Sequence, residues 1–259
     1  MRPCINSAIP SARELAAIVW ILALASLAFC HAAPAATWAK DAVSLDVPCP
    51  EHLLDPAPRS RSPDGSVAIV ELCRNLTPDG VETTVLRVTL GDGTVQDIVP
   101  EIPGTIWRPE EILWSPDSKA FIVNGGENAY AGYSFILYEI SGKRVVASRP
   151  TRNAQRDMAR LFPPCRALNS RADICKKIAT APEFNLSVIR WAHGSDSVIV
   201  FGEVPCSSTY GGIMCQVVGY ELEARTGRIL RRISARELKQ RYQSSMGWDM
   251  EIPDPPVYR

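Results

Sequence analysis

Three segments of this chain align with one another without gaps, and that recurrence constrains the fold more than any other feature. Ser62-Pro-Asp-Gly-Ser-Val-Ala-Ile-Val70 matches Ser115-Pro-Asp-Ser-Lys-Ala-Phe-Ile-Val123. The second, taken from Trp114, matches Trp191-Ala-His-Gly-Ser-Asp-Ser-Val-Ile-Val200. Each is a polar turn leading into a short apolar strand. Proline presets the turn backbone, and Asp bonds locally to nearby amides, so Ser-Pro-Asp is turn punctuation with a mechanism. A second strand-like run follows each: Glu82–Leu90, Tyr133–Ile140 and Cys215–Leu222. Then come tight turns at Gly91-Asp-Gly93, Ser141-Gly142 and Thr226-Gly227, where glycine supplies the positive φ of a short hairpin. A third strand closes each unit: Thr94–Val99, Lys143–Ser148 and Arg228–Ile233. A further strand is predicted ahead of the later units, around Thr105–Trp107 or Ile112–Trp114 and at Leu186–Trp191.

Units of this size, with four short antiparallel strands, are the sequence mark of propeller blades. The expected fold is therefore mainly β, with three propeller-blade-like antiparallel repeats at about 62–99, 105–148 and 186–233. Between the second and third repeats lies an insertion, about 149–185, that reads as helical. Gln155–Phe162 and Ala172–Ile178 have few β-branched residues, and Pro163-Pro164 ends the first piece. After the third repeat, Ser234-Ala-Arg-Glu237 is a capping box that opens a helix through about Gln243. Ile252-Pro-Asp-Pro-Pro-Val257 cannot continue a helix and is expected as an extended tail within 234–259.

The start of the chain reads as a targeting segment. Arg2 and Arg13 precede an apolar run of 16 residues, Leu15–Cys30, followed by Ala33-Pro-Ala35. The basic start, short apolar stretch and small exit residues form a secretory signal peptide over residues 1–35. The run falls short of the roughly 20 residues needed to span a bilayer. Lipid anchoring at Cys30 is disfavoured because Phe29, rather than a small residue, precedes it. Residues 36–259 then form one exported domain, periplasmic or extracellular, with no integral membrane span. That domain keeps Cys49, Cys73, Cys165, Cys175, Cys206 and Cys215, which in an exported protein read as three disulfides. Sequence proximity favours Cys165–Cys175 and Cys206–Cys215, leaving Cys49–Cys73.

Trp114-Ser-Pro-Asp117 followed by an apolar strand resembles the WD-repeat-like blades of bacterial periplasmic β-propellers of the Tol-system type. The motif is partial at Ser62–Gly65, where Arg61 replaces the Trp, and weaker at Trp191–Gly194. Closed propellers have about 4–8 blades, so three repeats imply an incomplete or small propeller; closure by a degenerate blade and a sheet sandwich are the alternatives. The resemblance places the chain in a bacterial envelope and leaves its activity open, because propellers host many functions.

Chemistry is constrained mainly by what is missing. With Lys+Arg 28 against Asp+Glu 28, nucleic acid is not expected as a partner. Beyond the targeting segment only His52 and His193 remain, and no Gly-x-Ser-x-Gly elbow is present. His193 reads as a turn residue in the place of Pro116. No Walker A loop, dinucleotide fingerprint or EF-hand loop occurs, so no cofactor and no metal are expected. Glu110-Glu111, read as a solvated loop, and Asp117, already used in its turn, leave hydrolase chemistry on glycan or ester substrates as an alternative only.

Two candidate binding surfaces remain. The loops between the first two aligned strands should emerge at one end of every repeat, and they carry Glu127, Asn128, Tyr130, Ser208 and Tyr210. Thr151–Lys177 holds seven basic residues against two acidic, and Arg225–Arg241 holds seven against one. If adjoining, these segments build a basic patch from Arg152, Arg156, Arg160, Lys176, Lys177, Arg231 and Arg232, suited to an envelope protein or an anionic glycan or lipid. The expected function is a non-catalytic binding or scaffold module, with an inhibitor or immunity-type protein as a further alternative.

Overall fold

The computed structural model describes residues 43–44, 60–75, 82–99, 108–126, 134–162, 184–206 and 213–246. Its strands in chain order are β1 (Val43–Ser44), β2 (Ser60–Arg61), β3 (Ala68–Asn75), β4 (Glu82–Thr89), β5 (Val95–Ile98), β6 (Arg108–Trp114), β7 (Ala120–Gly126), β8 (Ser134–Ser141) and β9 (Arg144–Ser148). Helix α1 (Arg152–Leu161) follows, then β10 (Asn185–Ala192), β11 (Ser197–Glu203), β12 (Val217–Glu223), β13 (Ile229–Ile233) and helix α2 (Ala235–Tyr242).

Every strand pair is antiparallel, and the described strands form three sheets. The first runs β2-β3-β4-β5, the second β1-β6-β7-β8-β9, the third β10-β11-β12-β13. Each repeat in the sequence is thus one meander; its second and third aligned strands fall within a residue or two of their expected limits, whereas β3 runs on to Asn75 and β7 to Gly126. The first strand of the second unit is β6, which takes in Ile112–Trp114 and begins at Arg108.

Alternation along the strands gives the second and third sheets two apolar faces each, and the first sheet one. Ile69, Leu86 and Val88 of the first sheet pack with Ile112, Phe121, Val123, Ile136 and Tyr138 of the second. The opposite face of the second sheet, with Leu113, Ile122, Phe135 and Leu137, packs with Leu186, Val188, Trp191, Val200, Tyr220 and Leu222 of the third. The second sheet therefore lies between the other two. The far face of the third sheet, Ile189, Ile199, Phe201 and Ile233, is covered by α2 through Leu238, with Met246 alongside.

The turns that recur in sequence also recur in their bonding. The Ser62 hydroxyl donates to Asp64 Oδ1 at 2.6 Å and accepts from Val67 N–H at 2.9 Å. Ser115 repeats both contacts with Asp117 and Ala120, at 2.7 and 2.9 Å. Contacts between sheets recur as well. The Trp114 indole N–H donates to Ser60 Oγ at 2.7 Å, and the Trp191 indole N–H donates to Leu113 O at 3.3 Å. Ser60 and Leu113 occupy the same position of successive repeats. At the turn tips Asp64 N–H donates to Ser118 Oγ at 3.1 Å and Asp117 N–H to Ser195 Oγ at 3.3 Å, again equivalent pairs.

Asp64 gives a prediction of its own. Its carboxylate accepts from the Ser62 hydroxyl and from the backbone and hydroxyl of Ser66, which lowers its pKa to about 2. A depressed carboxyl stabilises the fold above its unfolded value near 3.9, and that contribution fades as pH falls through the folded value. An NMR titration is expected to place the Asp64 midpoint near 2, and Ser62→Ala is expected to raise it. A midpoint near 4 would show that the turn bonds do not persist in solution.

The third turn departs from the sequence reading. His193 takes φ 47°, with Gly194 at 69°, a backbone that proline cannot adopt. His193 therefore replaces Pro116 in alignment but builds a different turn, closed by Asp196 N–H donating to His193 O.

The local helix signals match the structure. Ser234 accepts from Glu237 N–H at 3.2 Å, capping α2. The first insertion helix, expected from Gln155, begins three residues earlier at Arg152. The targeting segment, second helical piece around 172–178 and C-terminal tail expected from the sequence fall outside the described residues. Among the described residues no helix is long and apolar enough to cross a membrane.

Candidate functional site

The loop residues singled out from sequence, Glu127, Asn128, Tyr130, Ser208 and Tyr210, lie outside the described residues, as do Lys176 and Lys177. Of the expected disulfides, Cys206–Cys215 is present, with its Cα atoms 4.6 Å apart. It closes the segment between β11 and β12. Cys49, Cys165 and Cys175 are outside the described residues, and of Cys73 only its backbone in β3 is described.

The two basic segments do adjoin. Helix α1 inserts Ala154 and Met158 into the core between the second and third sheets. Its Gln155 side chain exchanges two bonds with the Phe184 backbone, and Asn153 Nδ2 donates to Gly227 O at 3.0 Å. Asp157 is buried on the same helix, where the Arg232 guanidinium holds both of its oxygens and the Tyr220 hydroxyl donates to it at 3.1 Å. Burial and the neighbouring Asp157 charge raise the Tyr220 pKa well above its ordinary value, so the hydroxyl stays a neutral donor.

This arrangement divides the basic residues into two sets. Arg231 pairs with Glu237 at 2.5 Å and with Glu221 at 3.6 Å, and Arg232 is held by Asp157. Arg225, Arg228 and Arg241 also pair with carboxylates: Glu139, Glu223 and Glu237. The charge counted over β13 and α2 is thus largely compensated. Arg152, Arg156 and Arg160 differ. They are exposed and, among the described residues, have no ion-pair partner. Spaced four apart on α1, they line one stripe of the helix.

Of the carboxylates considered for hydrolysis, Glu111 and Asp117 are each engaged in separate structural contacts. Glu111 lies inside β6 and is fully buried, not on a solvated loop, and it accepts from Asn124 Nδ2. Asn124 in turn clamps Val188 across to the third sheet, accepting from its N–H and donating to its C=O, both at 2.9 Å. Asp117 is engaged by Ser115 and Lys119 N–H in its turn. Among the described residues no group of three or more His, Cys, Asp and Glu side chains could hold a metal ion.

One open concavity stands at the rim between the first and second sheets. It has a volume of about 340 Å³ and is lined by Ile98, Val99, Ile136, Tyr138, Ala147, Ser148 and Arg149. An aromatic row leads into it. Trp114, Phe121 and Tyr138 are cross-strand neighbours, with ring centroids 5.1 and 4.9 Å apart. The next position, Ala147, is small and leaves space beyond the tyrosine. Sequence reasoning had no signal for this groove, since its residues come from strands of two repeats.

No family model, no curated protein and no solved structure matches this chain.

Proposed function

We propose that this chain is an exported, non-catalytic binding module of the bacterial envelope, built as a short run of propeller-like blades. It recognises an anionic partner through the α1 arginines. The observation that carries the reading is the Arg152, Arg156 and Arg160 stripe, which among the described residues has no ion-pair partner, while Arg225, Arg231 and Arg232 are paired. Like charges four apart on a helix repel by a few tenths of a kcal/mol per pair. An anionic partner relieves that repulsion and is steered toward the stripe. The propeller-like reading is supported by the equivalent Trp114 and Trp191 bonds to the preceding sheet. Arg61 in the tryptophan position of the first unit fits a terminal repeat, which characteristically departs from its neighbours.

The test uses the oxidised protein without residues 1–35 as bait in envelope extract, at low and moderate salt. The wild type is expected to retain an anionic protein or glycan that moderate salt releases. The R152Q/R156Q/R160Q variant should slow association about tenfold or more. Equal capture by the variant, or capture insensitive to salt, would overturn the assignment.

A further inference from the structure

The fold holds one carboxylate between a tyrosine and an arginine, and a second tyrosine and arginine line the rim groove. In the third sheet the register sets Arg232 opposite Tyr220, which pairs with Val200 on its other side. In the second sheet the equivalent of Val200 is Val123, which pairs with Ile136. Leu137 pairs with Ser148, so continuing the register sets Arg149 beside Ile136. Arg149 and Arg232 are therefore equivalent positions of two repeats, each at the rim of a face turned toward the preceding sheet. Between the second and third sheets that rim is filled by α1, with apolar Ala154 and Met158 below and the Asp157 carboxylate on Arg232. Between the first and second sheets it is the 340 Å³ groove.

The groove contains donors without acceptors. The Ser148 hydroxyl is buried and has no hydrogen-bond partner. Tyr138 is 2% exposed, and among the described residues its hydroxyl has none either. Burial raises the Tyr138 pKa well above its usual value, which keeps the hydroxyl protonated as a donor. Arg149 is exposed at the rim and, among the described residues, has no ion-pair partner. Ile98, Val99, Ile136 and Ala147 make the remaining wall apolar. A buried hydroxyl left unbonded is destabilising, so a ligand oxygen placed here lets the Ser148 hydroxyl donate to it.

We infer that this groove binds a small organic carboxylate with an apolar body. Its carboxylate sits on Arg149 as Asp157 sits on Arg232, with Tyr138 and Ser148 as further donors, and its hydrocarbon lies against Ile98, Val99 and Ile136. The site is separate from the α1 stripe, so loss of either leaves the other standing.

The probe is octanoate, titrated into the whole oxidised chain by calorimetry, with NMR shifts of Ser148 and its neighbours locating it. Saturable binding at one site is expected. Acetate and octanamide should bind at least about tenfold more weakly, one lacking the apolar body and the other the charge. Arg149→Gln and Tyr138→Phe should each weaken octanoate about tenfold or more, since each removes a hydrogen bond to a charged group. Arg149 is exposed, so its variant should melt as the wild type does. Octanoate bound no more tightly than acetate, or equally well by Arg149→Gln, would overturn the assignment. Failure of octanoate alongside retention of a glutamate-bearing helical peptide would also overturn it, making the groove a protein-docking site instead.

Discussion

Trp191→Ala is expected to destabilise the protein by about 3–5 kcal/mol, the range for deleting a buried tryptophan. Trp191 is 7% exposed, it packs in the core shared by the second and third sheets, and its indole N–H reaches Leu113 O. The truncation removes apolar contact on both sheets and leaves a void that β10 cannot close without losing its register with β11. Trp191→Phe keeps most of the volume and loses the indole bond, so about 1 kcal/mol is expected from the bond itself. Urea unfolding should show a lower midpoint for the alanine variant with an unchanged slope. A loss below about 1 kcal/mol would mean that the two sheets are held together by other contacts.

Gly227→Ala carries the second large effect, for a different reason. Gly227 has φ +65°, and a Cβ there would lie 2.2 Å from Pro150 O and 2.7 Å from its carbonyl carbon. Those atoms are backbone, so relief requires moving either the β12–β13 turn or the segment that leads into α1. Moving them also breaks the Asn153 bond to Gly227 O. Strain at positive φ and overpacking each cost about 1–3 kcal/mol, so a combined loss of about 2–5 kcal/mol is expected. Gly142 lies in the β8–β9 turn of the second sheet, at φ +59° with nothing within 4 Å of its Cβ. Gly142→Ala should therefore cost only about 1 kcal/mol, from the backbone alone. The difference between the two variants in denaturant unfolding isolates the contact with Pro150. Equal losses would show that the turn does not rest on that segment in solution.

The strand plan was legible because its determinants are local and repeated. The Ser62 and Ser115 turns are built within six residues, and the α2 cap within four, so composition alone exposes them. What escaped was set by distant contacts. Arg231 and Arg232 count as surplus charge along the chain, yet their carboxylates come from Glu221, Glu237 and, 75 residues away, Asp157. Glu111 follows Pro109 and Glu110 and so resembles a loop residue, but Asn124 takes it into the core beside the clamp on Val188. The rim groove left no trace, because Arg149 and Arg232 correspond only through strand registers, and a bulge between β12 and β13 hides that match in the sequence.

The tryptophan contacts between sheets run one way along the chain: Trp191 reaches back to the second sheet and Trp114 to the first. An interface whose two sides differ can in principle repeat without end, as head-to-tail association does when rotation fails to close a ring. The third sheet would offer its apolar far face to whatever copy came next. Helix α2 lies across that face, with Leu238 seated among Ile189, Ile199, Phe201 and Ile233. The eleven helical residues 235–245 thus cover the face on which a further sheet would stack.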